Sequence, residues 1–308
     1  MTTDERPRDG YRAFMLTLRK RSTPYLFLAP MVILMGIFII APILRNAWMS
    51  VHEWYLPRPG YHPFVGLKNY YDVFTASTFQ NSLKVTGIYV VVTVLARYVL
   101  AMGIALLLNV PFRGRGLVRS IVIIPWAIPV VVACLIWAQM LDFQFGPINY
   151  WLMQLGILDE RANWLADLNL VLPTAMVVNI WKGTAYPAIM LLAGLQSIPL
   201  DLYEAAAVDG ASSWRKFASI TLPMLKPVSL IVFLLLVIWT IKDFGIIYVL
   251  TQGGPAHATE VLTVYVYKRA FEGMRLGEAA AGGMVLLAIS MLLTVFYLKV
   301  LGGEESVW

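Results

Sequence analysis

The chain has 308 residues, 59% of them hydrophobic and only 14% charged, with 24 Lys and Arg against 18 Asp and Glu, a formal net charge of +6. Mean hydropathy is +0.70. A soluble domain carries about a quarter charged residues, so this composition excludes an ordinary water-facing globule and requires lipid over much of the apolar surface.

Residues 1–24 are polar and basic, carrying Arg6, Arg8, Arg12, Arg19, Lys20 and Arg21. A first apolar run of about twenty residues covers 25–44, with Pro30 and Pro42 near its ends, where a missing amide donor costs least. It lacks a small-residue cleavage site before a polar mature domain and is read as a retained helix. Residues 25–84 thus form a first span and an external loop whose Trp54, Tyr55, Tyr61 and Tyr70 suit a membrane interface. The second span covers 85–108 and contains Arg97, which is too costly to face lipid and either snorkels, pairs or faces the bundle interior.

A basic turn with Arg113, Arg115 and Arg119 leads into a third span at 121–140. Pro125 and Pro129 within it predict a bent or interrupted helix whose freed carbonyls need partners inside the bundle. The sole cysteine, Cys134, lies here in an apolar run and excludes an internal disulfide or a multi-cysteine metal site. Residues 141–168 are polar and acidic, with Asp142, Asp159, Glu160 and Asp167. A fourth span at 170–195 carries Asn179, Trp181, Lys182 and Pro187. An amphipathic segment at 196–227, a fifth span at 228–250, a long loop, a sixth span at 279–300 and a short tail at 301–308 complete the chain.

Six spans place the basic tail, the Arg113–Arg119 turn and the segment holding Arg215, Lys216 and Lys226 on one side, which reads as cytoplasmic together with both termini. Lys268, Arg269 and Arg275 in the last external loop weaken this asymmetry without reversing it. The fold class expected is all-α, a polytopic membrane protein of about six transmembrane helices.

The segment 196–227 splits into two short helices. Pro199 opens the first, Asp201 favours its amino terminus, and Leu202, Ala205 and Ala206 form an apolar face. Gly210 ends it in a left-handed conformation. A second helix carries Trp214, Phe217, Ile220 and Leu222 along one side, tying the knob to the bundle, before Pro223 interrupts it. Physically, this is either a knob for a groove on another protein or an amphipathic hairpin lying on lipid.

Glu204, Ala205, Ala206, Gly210, Ile220, Leu222 and Pro223 stand at the spacing E-A-A, three residues, G, nine residues, I-x-L-P, with Asp209 and Ala211 also in place. In these residues the chain resembles the permease subunits of binding-protein-dependent ABC importers of the carbohydrate-uptake type. Weaker likenesses run along Phe64, Gly66, Asn69 and Asn81, along Arg113, Gly114, Pro125, Trp126, Pro129 and Trp137, and along Asp243, Phe244, Thr251, Gly253, Gly254, Pro255 and Thr259. Ser82 stands where many members carry threonine, and the hydroxyl survives. The resemblance implies a type I ABC importer transmembrane domain with its core at 85–300. Glu204, Ala205, Ala206, Asp209, Gly210 and Pro223 would then be ATPase-coupling residues.

It further implies a second homologous permease, an ATPase dimer that binds ATP and Mg, an extracytoplasmic solute-binding protein and a sugar or polyol cargo. The chain itself would hold no cofactor and would not hydrolyse ATP. Polar and aromatic residues on the later spans, Asn179, Trp181, Lys182, Tyr186, Lys242 and Asp243, are candidates for the solute pathway, since sugars stack on aromatic rings. Gly253, Gly254 and Pro255 lack the lysine and hydroxyl of a phosphate loop and read as an external turn. His52, His62 and His257 show no metal-ligand spacing. The alternative class is an ion-coupled secondary transporter or channel subunit, for which Arg97, Lys182 and Asp243 are the supporting residues.

Overall fold

The computed structural model describes residues 27–301; the basic tail at 1–24 and nearly all of the tail at 301–308 lie outside them. Among the described residues the architecture is all-helical, with two isolated β-bridges, His52 to Phe64 and Tyr55 to Arg275. In chain order the helices are α1 (Phe27–Ser50), α2 (Lys68–Thr75), α3 (Ser77–Asn109), α4 (Arg115–Ala127), α5 (Val130–Met140), α6 (Pro147–Gln154) and α7 (Val171–Gly183). They continue with α8 (Ala185–Gln196), α9 (Leu200–Val208), α10 (Ser213–Ile241), α11 (Gly245–Thr251), α12 (Leu262–Tyr267) and α13 (Leu276–Leu301).

Four helices, α1, α3, α10 and α13, are long and apolar enough to cross a bilayer, and six spans result if the bent pairs α4–α5 and α7–α8 each count as one. The α4–α5 pair bends by 98° and the α7–α8 pair by 46°. The cause of the sharper bend is local. Pro129 cannot donate, and Ile128 before it is forced extended, with φ −69° and ψ 132°. Neither α4 nor α5 alone reaches the roughly 30 Å of a bilayer core, since each residue adds about 1.5 Å.

Four expectations from sequence need correction. The helix of the second span starts at Ser77, ahead of the expected 85. The first span runs on to Ser50, six residues past 44. The fifth ends at Ile241 rather than 250, because the polar pair Lys242 and Asp243 breaks the apolar run and Gly245–Thr251 folds as a separate helix. Pro223 does not interrupt its helix. A π-turn at Phe217–Thr221, in which Leu222 donates to the Phe217 carbonyl, lets α10 pass the proline unbroken.

The long α3 is the axis of the bundle. Val94, Ala101, Ala105 and Leu108 pack against Leu191 and Leu195 of α8 and Leu225 and Leu236 of α10. Small residues set these distances: a β-carbon on Gly194 would stand 2.8 Å from Leu225 Cδ2. A second cluster joins Val85 and Tyr89 of α3 to Ala175 and Met176 of α7, Ile247 of α11 and Val264 of α12. Cys134 is fully buried against Val178 and Ile246. By contrast, α1 docks on α13, where Asn46 Nδ2 donates to the Ala280 carbonyl at 3.2 Å, and leaves rows such as Ile37, Phe38 and Ile40 exposed, as do Val91, Leu95 and Val99 on α3. Such continuous apolar faces belong in hydrocarbon or against another membrane subunit.

Candidate functional site

Two features stand out, a charged and aromatic cavity inside the bundle and an exposed short helix at one end of it. The cavity, about 220 Å³, is lined from α3 by Arg97, from α4 by Trp126, from α7 by Asn179, Lys182 and Gly183, from α8 by Tyr186, and from the end of α10 by Trp239 and Asp243. Three rings meet there: Tyr186 lies 6.0 Å from Trp126, stacked, and 5.0 Å from Trp239, edge to face. Offset and edge-on pairs of this kind are favourable and leave ring faces available for a solute.

Asp243 is held by neutral donors. Tyr89 Oη donates to Asp243 Oδ2 at 2.7 Å, Asn179 Nδ2 donates to the same oxygen at 2.5 Å, and Asn179 Nδ2 also reaches Tyr89 Oη at 2.7 Å. Thr263 Oγ1 donates to the Asp243 carbonyl at 2.7 Å. This knot ties α3, α7 and α12 to the break after α10, so the carboxylate is fixed in place. Arg97 is only 8% exposed; its Nη1 contacts Thr240 Oγ1 at 3.4 Å, and its Nε has no partner. Lys182 answers the expectation about freed carbonyls: its Nζ donates to the Ile128 carbonyl at 2.6 Å and approaches the Pro125 carbonyl, the one Pro129 leaves unpaired, at 3.5 Å.

Of the six pathway candidates, Asn179, Lys182, Tyr186 and Asp243 are brought together here. Two are not. Trp181 turns toward Trp137, 5.5 Å away and edge-on, and Lys242 is exposed beside a separate groove lined by Ile238, Leu286 and Ser290. Sequence reasoning did not place Arg97, Trp126 or Trp239 at this site. A signal existed for one of them, because Trp239 precedes Asp243 by four residues, although the helix itself stops between them at Ile241.

The exposed helix is α9. Pro199 precedes it with φ −59° and ψ 132°, and Asp201 lies in its first turn without a side-chain capping bond. Its carboxyl end is a complete Schellman motif: Ala211 N donates to the Ala206 carbonyl at 2.8 Å, Gly210 N to the Ala207 carbonyl at 3.0 Å, and Gly210 has φ +74°. Glu204, Ala205, Asp209 and Gly210 are exposed, Ala206 is half-buried, and Pro223 lies exposed in the first turn after the π-turn. The next helix is capped by Ser212, whose Oγ accepts from Arg215 N.

The tie between knob and bundle also differs from expectation. Trp214 is 74% exposed and ties nothing down. Ile220 packs on the main core as expected, and Tyr203 of α9 joins it there, its Oη bonding Thr221 Oγ1 at 2.9 Å. Leu200 and Val208, 89% exposed, lie one turn to either side of Glu204 on α9, and Trp214, whose ring meets Phe217 at 5.6 Å, is a further exposed apolar side chain of this end. These side chains lie at the bundle end marked by Leu108 and Leu195, where α3 and α8 finish.

At the other end, the turn read from Gly253, Gly254 and Pro255 is a closed loop. Thr259 Oγ1 donates to the Gly254 carbonyl at 2.8 Å, and the buried Glu260 carboxylate meets Lys268 Nζ at 3.1 Å and His257 Nδ1 at 2.7 Å. Among the described residues no three His, Cys, Asp or Glu side chains gather to hold a metal.

Residues 97–302 match the family described as "Binding-protein-dependent transport system inner membrane component". The chain is 38% identical to the trehalose/maltose transport system permease protein MalF of Thermococcus litoralis, over 92% of this chain and 95% of that one. It is 36% identical to the sn-glycerol-3-phosphate transport system permease protein UgpA of Agrobacterium fabrum, covering 90% and 93%. Among solved structures, a chain of a bacterial ABC transporter involved in the import of the acidic polysaccharide alginate superposes with a TM-score of 0.81 at 24% identity, over 95% of this chain and 99% of that one.

Proposed function

The chain belongs to the family of inner-membrane components of binding-protein-dependent transport systems, and on that premise we propose that it couples a partner ATPase to a carbohydrate pathway through α9. As an ABC importer permease it would form half of a translocation pathway, the other half coming from a second permease. The observation that carries the coupling is the seating of α9. An exposed helix with Glu204 at its centre is hinged by Gly210 and bolted through Tyr203 and Thr221 to the base of α10. A push on such a knob moves α10 as a lever, and the last turn of α10 carries Trp239 into the cavity, with Asp243 just beyond its end. ATP and Mg would be bound by the ATPase subunits, which dock against the Val208 and Trp214 surface, while an external solute-binding protein delivers cargo to the opposite end.

The cavity supports a sugar or polyol as cargo, because Trp126, Tyr186 and Trp239 offer ring faces beside fixed polar groups. The relatives named for trehalose/maltose and for sn-glycerol-3-phosphate transport agree with that class. Both termini and the segment 196–227 would be cytoplasmic, the side on which ATP is found. The test is uptake by proteoliposomes holding this chain, its partner permease, the ATPase and the solute-binding protein. Uptake that needs internal ATP supports the reading, and uptake driven by an ion gradient without ATP refutes it.

A further inference from the structure

Arg97 is the one cation of the cavity that the protein itself does not answer. Lys182 is spent on the carbonyls of the α4–α5 break, and Asp243 takes Tyr89 and Asn179 on Oδ2 and a long contact from Ile246 N, at 3.5 Å, on Oδ1. Arg97 forms no ion pair among the described residues, although Asp243 is near enough for its charge to be felt. Its Nη1 has a single long contact to Thr240, and its Nε is buried without a partner. A guanidinium presents five donors in a planar fork, and a buried charge left without partners is costly. Two cations against one carboxylate leave the cavity net positive, and the aromatic rings of Trp126, Tyr186 and Trp239 line the same cavity.

We infer that Arg97 makes this cavity selective for an anionic carbohydrate or polyol, its guanidinium taking a carboxylate, phosphate or sulfonate group while the aromatic rings take the carbon skeleton. The inference rests on the reading of the cavity as the solute pathway and adds the charge of the solute to it. A neutral sugar would leave the guanidinium unanswered, whereas an acid group closes a fork of charge-assisted bonds whose attraction offsets the desolvation of the anion. The volume of about 220 Å³ suits one sugar ring or a short polyol at a time.

The test uses the importer assembled from this chain, its partner permease and its ATPase, in nanodiscs of phosphatidylcholine so that no anionic lipid headgroup competes. Glucuronate and glucose are titrated in parallel, as are glycerol 3-phosphate and glycerol, with tryptophan fluorescence as readout. The wild type is expected to bind at least one acid about tenfold tighter than its neutral counterpart. Arg97→Gln should erase that ratio, and Arg97→Lys should keep part of it. No binding of either acid to the wild type, or a ratio unchanged in Arg97→Gln, overturns the assignment. Trp239→Ala separates the two levels. If it weakens a matched pair alike while Arg97→Gln leaves their ratio alone, the pathway stands and the anion site falls. If it alters neither member of a pair that binds, the cavity is not the pathway and both readings fall.

Discussion

The guanidinium of Arg97 lies flat against Gly183: a β-carbon built on that glycine would fall 1.2 Å from Nη2 and 2.0 Å from Cζ. Nothing larger than hydrogen fits there while Arg97 keeps its place, so the glycine at the α7–α8 joint is a seat for a charge on α3. Gly183→Ala should therefore expel the guanidinium, which can swing because it ends a flexible side chain. Overpacking of this kind costs about 1–3 kcal/mol. The expected outcome is a lowered melting temperature of the purified complex together with loss of the acid-over-neutral preference, as in Arg97→Gln.

Tyr89→Phe removes one donor from Asp243 and leaves Asn179 as its partner. Deleting a bond to a buried charged group costs about 1–3 kcal/mol. Differential scanning fluorimetry of the assembled complex should show a lower transition for Tyr89→Phe, with the knob and ATPase binding untouched. An unchanged transition would mean that water replaces the phenol at no cost.

Lys182→Met leaves the carbonyls of Ile128 and Pro125 without their donor. Each unpaired buried carbonyl costs about 1–3 kcal/mol, and the bent α4–α5 segment should become locally loose. Hydrogen exchange of residues 125–131 is expected to rise in this variant while that of α3 does not.

Gly210→Ala meets no steric obstacle, since nothing lies within 4 Å of the added carbon, yet it must adopt φ +74°. That backbone cost is about 1–2 kcal/mol for an L-residue, and asparagine bears it better. Gly210→Ala should impair uptake more than Gly210→Asn, with membrane insertion normal in both. Glu204→Ala should weaken ATPase association or let ATP be hydrolysed without uptake, again with insertion intact; co-purification and the ratio of ATP hydrolysed to solute imported distinguish the two.

Much of the fold was legible because it depends on apolar length, and the broken third span was legible because Pro125 and Pro129 leave no other outcome. The length of the fifth span was not. Lys242 and Asp243 are two residues in a window that stays apolar on average, so the break at Ile241 and the separate helix after it are invisible to hydropathy. The knob's helix and its Gly210 terminus follow from local chemistry and were expected correctly. Its anchor followed only in part: Ile220 was expected on the bundle, whereas the choice between Trp214 and Tyr203 is made by what each meets across the fold. The cavity gathers residues from seven helices; Asn179, Lys182, Gly183 and Tyr186 recur at helical spacing, as do Trp239 and Asp243, but nothing local says that these two sets face each other.

The coupling role of α9 is tested most directly by labelling. Cys134 is the sole cysteine and is fully buried, so a Cys134→Ala, Val208→Cys chain reports on one exposed position of α9. A membrane-impermeant maleimide should label it in inside-out vesicles and not in right-side-out ones, and addition of the ATPase subunits should protect it. Labelling from the outer side, or full reactivity with the ATPase bound, would contradict the role assigned to this helix.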